Sequence, residues 1–307
     1  MSIPRRKDGG IDWGFNPVTA EETALCMKDA LWRICSGKLY KIIIKGDDGQ
    51  DGLVIPFKPN RAQKRLLARL WHRNVILKAR QLGFTTLICV LWLDTALFNE
   101  NMRCGIIAQD REAAEVIFRD KVKFAYENLP ENLKSAMPLA RDSASELLFA
   151  HNNSSIRVAT SMRSGTIHRL HISEFGKICA KYPDKAVEVV TGSIPAVPKN
   201  GILIIESTAE GREGEFYDIT MRAKSAKDTA KELTVRDYRF HFFAWWDANE
   251  YEMPADSVKL TDKDNLYFER IESQIGQPIS PEKRAWYIAT RDADFSGSEE
   301  KMWQEYP

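Results

Sequence analysis

A chain of 307 residues that is 44% hydrophobic and 28% charged can bury a sizeable core and has the make-up of an ordinary globular protein. Its 44 basic and 43 acidic residues leave a net charge of +1, which excludes a global electrostatic pull on nucleic acid or membrane, so any such contact must come from local patches. Cys26, Cys35, Cys89, Cys104 and Cys179 lack CxxC spacing or a histidine cluster and read as free thiols of a reducing compartment, not as a zinc site or a disulfide framework. No apolar window reaches the length of a membrane span, and the basic N-terminus has no apolar stretch behind it.

Residues 1–58 read as a small cover: a helical run "AEETALCMKDALWRICSG", a strand "KLYKIIIK", a turn "GDDGQDG" and a second strand "LVIPF" closing a hairpin. From Pro59 the pattern changes. Helix "NRAQKRLLARLW", strand "NVILK" and apolar helix "TTLICVLWLDTALFN" follow one another, then strand "RCGIIAQ" and helix "REAAEVIFRDKVKFAYENL". "SELLFA" and "SIRVAT", joined by the polar turn "HNNS", predict an antiparallel pair added to a parallel sheet. Strands "RLHIS", "GILIIES" and "RFHFFAWW" complete it. Strands alternating with helices imply right-handed crossovers and an α/β fold, a mainly parallel sheet flanked by helices. The core runs over 59–247. Residues 248–307 are polar and helical, and they predict a lid built with the N-terminal cover.

The stretch "KARQLGFTT" turns from strand into helix, as a phosphate-binding loop does. The template GxxxxGK[ST] is met at Gly83 and Thr85, with Lys78 in place of the first glycine and Phe84 in place of the lysine. Gly83 permits the tight turn, Thr85 offers a hydroxyl for magnesium, and the following helix offers its N-terminal dipole. Lys78 supplies the missing cation from the loop's front, and Arg80 a second one for the γ-phosphate. Alone, the stretch is equally an ordinary strand-to-helix turn with basic surface residues. About ninety residues on, "RLHISEF" ends an apolar strand in Ser173 and Glu174, at the sheet edge where open α/β folds bind ligands. Glu174 becomes the base that deprotonates water, and Ser173 stands at the position of a metal-holding aspartate.

Taken in order, "FKPNRAQKRLL", "KARQLGFTT", "SMRSGTIHRLHISEFGK" and "ESTAEGREGEFYD" resemble the ATPase portion of phage large terminase subunits, over about Phe57 to Asp247. The resemblance implies a P-loop ATPase of the terminase type, using ATP and magnesium. Its nucleotide-binding residues would be Gln63, on adenine, and the loop Lys78, Ala79, Arg80, Gln81, Leu82, Gly83, Phe84, Thr85 and Thr86, with Thr85 and Ser173 holding the metal. Arg163 would be an arginine finger presented to a neighbouring subunit, or else a surface arginine on an "RSG" turn, and Ser207 and Thr208 a coupling motif. The implied partners are double-stranded DNA, a small terminase subunit and the portal of a procapsid, with self-association into a ring, in the host cytoplasm and without a membrane. The family's nuclease domain is expected to be absent. A helicase-like translocase, and a degenerate module that binds without hydrolysing, are the alternatives.

Overall fold

The computed structural model describes residues 3–45, 51–163 and 165–307. Residues 46–50 of the expected "GDDGQDG" turn, and Ser164 of the "RSG" turn, lie outside them. In chain order the elements begin with helices α1 (Ala20–Lys28) and α2 (Ala30–Cys35), strands β1 (Lys41–Lys45) and β2 (Asp51–Pro56), and helix α3 (Arg61–Leu67). Next come β3 (Arg73–Lys78), α4 (Phe84–Phe98), β4 (Arg103–Ile107), α5 (Arg111–Ile117), a π-helical stretch Phe118–Lys123 and α6 (Phe124–Glu127). Then α7 (Glu131–Ala136), β5 (Leu139–Asp142), β6 (Glu146–Phe149), β7 (Ser155–Ala159) and β8 (Arg169–Ser173) lead to α8 (Phe175–Lys181) and α9 (Pro183–Glu188). Finally β9 (Ile202–Ser207), α10 (Gly214–Asp228) and β10 (Tyr238–Phe243) precede α11 (Asp262–Ile275), α12 (Pro281–Asp294) and α13 (Glu299–Glu305).

Eight strands form one sheet in the order β10-β3-β9-β8-β4-β7-β6-β5. Pairing is parallel from β10 to β7, while β6 runs antiparallel to both β7 and β5. The fold is thus the expected α/β class with its antiparallel addition. The edge strand β5 escapes a sequence reading because three of its four residues are exposed and carry no apolar alternation.

Side chains alternate across the sheet, so central strands β3, β4 and β9 each feed two cores. Ile76, Ile106, Ile156, Val158 and Ile204 face α4 and the α5–α6 helix. Val75, Ile107, Ile172, Leu203 and Ile205 face α8 and α10. Helix α4 is apolar almost all round, as a helix packed between a sheet and a cover must be.

The single N-terminal helix read from the sequence is two. Asp29, in extended backbone, accepts from Trp32 N at 2.9 Å to start α2 and from Ile11 N at 2.7 Å, and the chain bends there. β1 and β2 pair antiparallel, as expected. Arg33 forms two hydrogen bonds to Asp94 on α4, at 2.8 and 2.7 Å, and the Tyr40 hydroxyl donates to the same carboxylate at 2.8 Å. The last expected strand stops at Phe243, and Trp245–Asp247 turn as a 3-10 helix. Trp245 stacks on Tyr287 (4.6 Å), Tyr251 on Trp286 (4.5 Å), and Trp286 meets Tyr306 (5.0 Å), which fixes the C-terminal helices beside β10. No helix of the described residues is long and apolar enough to cross a membrane.

Candidate nucleotide site

The loop between β3 and α4 is shaped by backbone it can adopt only at particular residues. Gln81 takes φ 58° and Gly83 φ 72°, both left-handed, and α4 begins at Phe84. The left-handed torsion favours glycine there, and a Cβ at Gly83, 2.8 Å from Gln63 Nε2, would displace the Gln63 amide. Gln63 Nε2 donates to the Gly83 carbonyl at 2.7 Å, while its Oε1 accepts from Asn60 N at 2.9 Å. The loop's carbonyl is held from the α3 side. The amides of Phe84, Thr85 and Thr86 have no intrahelical partner by geometry and find no other backbone acceptor among the described residues. They sit at the positive end of a 15-residue helix, an arrangement that suits an anion.

Phe84 explains the template's missing lysine. Its ring is 1% exposed and packs 4.5 Å from that of Phe243, whose ring also carries the Arg65 guanidinium at 4.4 Å. This helix position points into the core, and the cation comes from the end of β3 instead. Lys78, 5% exposed, places its ammonium 3.0 Å from Glu174 Oε1 and 3.2 Å from Glu206 Oε2. Burial alone would depress the Lys78 pKa, but the two carboxylates outweigh it and raise it above the ordinary lysine value.

Glu174 follows β8 in left-handed backbone (φ 53°), a strained setting for a residue other than glycine, and its side chain is one quarter exposed. Ser173 Oγ lies 3.5 Å from Thr85 Oγ1, so the two hydroxyls read as metal donors do meet.

Glu206 is the residue that sequence reasoning missed. Buried to 0% exposure on β9, it accepts from Ser173 Oγ (2.9 Å) and Thr85 Oγ1 (3.0 Å) through Oε1, with His171 Nε2 at 3.3 Å. Burial pushes its carboxyl up, but Lys78, with the close approach of His171 and the bond from Ser173, overrides that and holds it well below the usual glutamate range. Register places it there. Ser173 pairs with Glu206 and Ile76 with Glu206, and period-two alternation then puts Lys78, Glu206, Ser173 and His171 on one face. The signal was a carboxylate two residues after Ile204 in an apolar strand.

The other expected site residues are placed as follows. Arg80 turns to α13, with Nε 3.4 Å from Glu305 Oε2, and its amide donates to the Glu305 carbonyl. Ala79 and Leu82 are buried, so they offer a ligand only backbone. The Thr86 hydroxyl accepts from Lys121 Nζ at 3.0 Å, a second cation at the loop that the sequence left unassigned. Both amide atoms of Gln63 are engaged by the loop and α3. A cleft of about 150 Å³ on that flank is lined by Asn60, Arg65, Leu82, Phe243 and Asp247. Ser207 and Thr208 are buried, and neither hydroxyl has a hydrogen-bond partner among the described residues. Arg163 does not join the cluster. It is 64% exposed, pairs with Glu188 at 2.5 Å, and lines a cleft with Arg103 and His168 near the opposite strand ends.

A hard oxygen donor set of Thr85, Ser173 and a carboxylate beside the loop fits magnesium. No protein-family model matches the sequence, and no curated protein does. Solved structures do. The large terminase ATPase domain of Thermus phage P74-26 aligns at 19% identity and TM-score 0.53, over 81% of this chain and 93% of that one. The large terminase of bacteriophage HK97 aligns at 16% identity and TM-score 0.57, over 91% of this chain and 54% of that one. The protein therefore has the fold of the ATPase domain of phage large terminases.

Proposed function

We propose that the chain is the ATPase of a DNA-packaging motor, which hydrolyses ATP to move double-stranded viral DNA into a procapsid. The observation that carries this reading is the convergence of Lys78, Thr85, Ser173 and Glu174, distant in sequence, beside the first turn of α4. Phosphates laid along the loop meet its free amides and the helix dipole. Lys78 shifts from Glu174 onto the phosphates, and the carboxylate it leaves is free to accept a proton from the attacking water. Thr85 and Ser173 hold magnesium, which when bound with ATP neutralises phosphate charge. The adenine enters the cleft beside Asn60 and Phe243, with Gln63 setting the loop between base and phosphates. Ser207 and Thr208, whose buried hydroxyls are unpartnered among the described residues, respond to the γ-phosphate in this reading.

Arg163, exposed and away from its own chain's site, suits a finger reaching a neighbouring subunit in a ring. A small terminase subunit and a portal ring are the partners this reading implies. ATP affinity tests it. Lys78→Ala abolishes binding, and adding Phe84→Lys does not restore it, because that side chain points into the core. Normal affinity in Lys78→Ala would remove the reading's basis.

A further inference from the structure

We infer that Glu206 is the carboxylate that anchors the magnesium ion accompanying the nucleotide, so that β9 supplies the charge that Ser173 on β8 lacks. The inference rests on reading this site as one for magnesium-bound ATP.

Three observations lead to it. First, the hydroxyls of Thr85 and Ser173 both point at one atom, Glu206 Oε1, at 3.0 and 2.9 Å. Two neutral hydroxyls hold a divalent cation weakly, whereas a carboxylate between them completes a hard oxygen set. Second, Glu206 is fully buried, yet among the described residues its Oε2 forms no hydrogen bond and has only the ion-pair contact with Lys78 at 3.2 Å. An oxygen this deep is costly to leave without a partner, and it becomes available when Lys78 moves onto phosphate. Third, the pairing of Ser173 with Glu206 across adjacent parallel strands brings the longer side chain over the shorter one. A carboxylate starting one strand away thereby ends at the same spot.

A role as mere counter-ion to Lys78 fits less well. Glu174 already pairs with Lys78 at 3.0 Å, so one buried ammonium faces two carboxylates. The surplus negative charge is what a divalent cation balances.

The test measures ATP binding by calorimetry with magnesium and with a chelator, for wild type, Glu206→Gln and the relocated pair Glu206→Gln/Ser173→Asp, each checked for folding by circular dichroism. In wild type, magnesium tightens ATP binding. Glu206→Gln loses that gain, read as each protein's ratio of affinities with and without magnesium, by ~10–100-fold, and the relocated pair recovers it. Direct titration with manganese in the presence of ADP shows the same order. A full magnesium gain in Glu206→Gln overturns the inference and leaves the nucleotide site standing. Should Glu206→Gln fail to fold, the relocated pair decides: a magnesium gain with the carboxylate moved to β8 supports the anchor, and its loss overturns it. Wild type that binds no ATP under either condition overturns the nucleotide reading itself.

Discussion

Lys78 sits where charge, burial and sequence position all meet. Its pKa is raised in the folded protein, so its stabilising contribution is complete below the ordinary lysine value of 10.5 and is lost as pH rises through the folded value. Glu206 is lowered, so its contribution is complete above the ordinary glutamate value of 4.5 and is lost as pH falls through the folded value. The cluster is therefore intact across the neutral range. Melting temperatures followed against pH should fall in wild type below pH 4.5, and the fall should be shallower in Glu206→Gln; equal slopes would mean that the carboxylate is not held by Lys78. Gly83→Ala puts a side chain into left-handed backbone, costing about 1–2 kcal/mol, and pushes on Gln63; chemical denaturation should show the loss. At this scale Lys78, Gly83 and Thr85 were legible as candidates from a loop template, and Glu174 from its place at the end of an apolar strand. Glu206 was not, because its place depends on strand register, which a single sequence does not carry.

Individual elements tie the site to the rest of the chain. The helix from Arg111 to Glu127 is widened where Phe124 N bonds Arg119 O, a π-type spacing, and Lys121 in that stretch reaches Thr86. A helix was plain from the sequence there; the wider turn was not, because it depends on which carbonyl each amide bonds. Helix α13 is tied to both sides of the site. Arg80 N donates to Glu305 O and Ala209 N to Gln304 O, each at 3.0 Å, and Gln304 Nε2 reaches Glu210 at 2.8 Å. The loop and the segment that follows β9 thus share one support, anchored by the fully buried Met302. Met302→Ala should raise hydrogen exchange at the Arg80 and Ala209 amides while the β1–β2 pair keeps its protection; unchanged exchange at both amides would separate α13 from the site. On the far side of α4, the Arg33–Asp94 pair is almost fully buried. Arg33→Ala should destabilise by roughly 3–5 kcal/mol in urea, because Asp94 is left charged and unpaired.

Across the whole molecule, the sheet puts Lys78, Glu174 and Glu206 at one set of strand ends and Arg163 near the other. One chain thus holds the proposed phosphate grip and the proposed base, with the candidate finger facing outward. If Arg163 serves a neighbour, the rate per molecule should rise with protein concentration in wild type and stay flat in Arg163→Ala. Mixing Arg163→Ala with Glu174→Gln should then restore activity that neither has alone, because each lacks a different part. Additive, inactive mixtures would assign Arg163 to its pair with Glu188. The α/β order and the sheet's antiparallel addition were legible from alternating strands and helices. Where the terminal segments pack was not, since buried pairs such as Arg33–Asp94 and the aromatic contacts of Trp245 join residues far apart in sequence.

The central claim is that this site hydrolyses ATP with Glu174 as base. Magnesium-dependent phosphate release by wild type and by Glu174→Gln, measured side by side over a range of protein concentrations, tests it most directly. The account predicts turnover in wild type that drops ~10²–10⁴-fold in Glu174→Gln, with ATP affinity retained. Equal rates in the two proteins would contradict it.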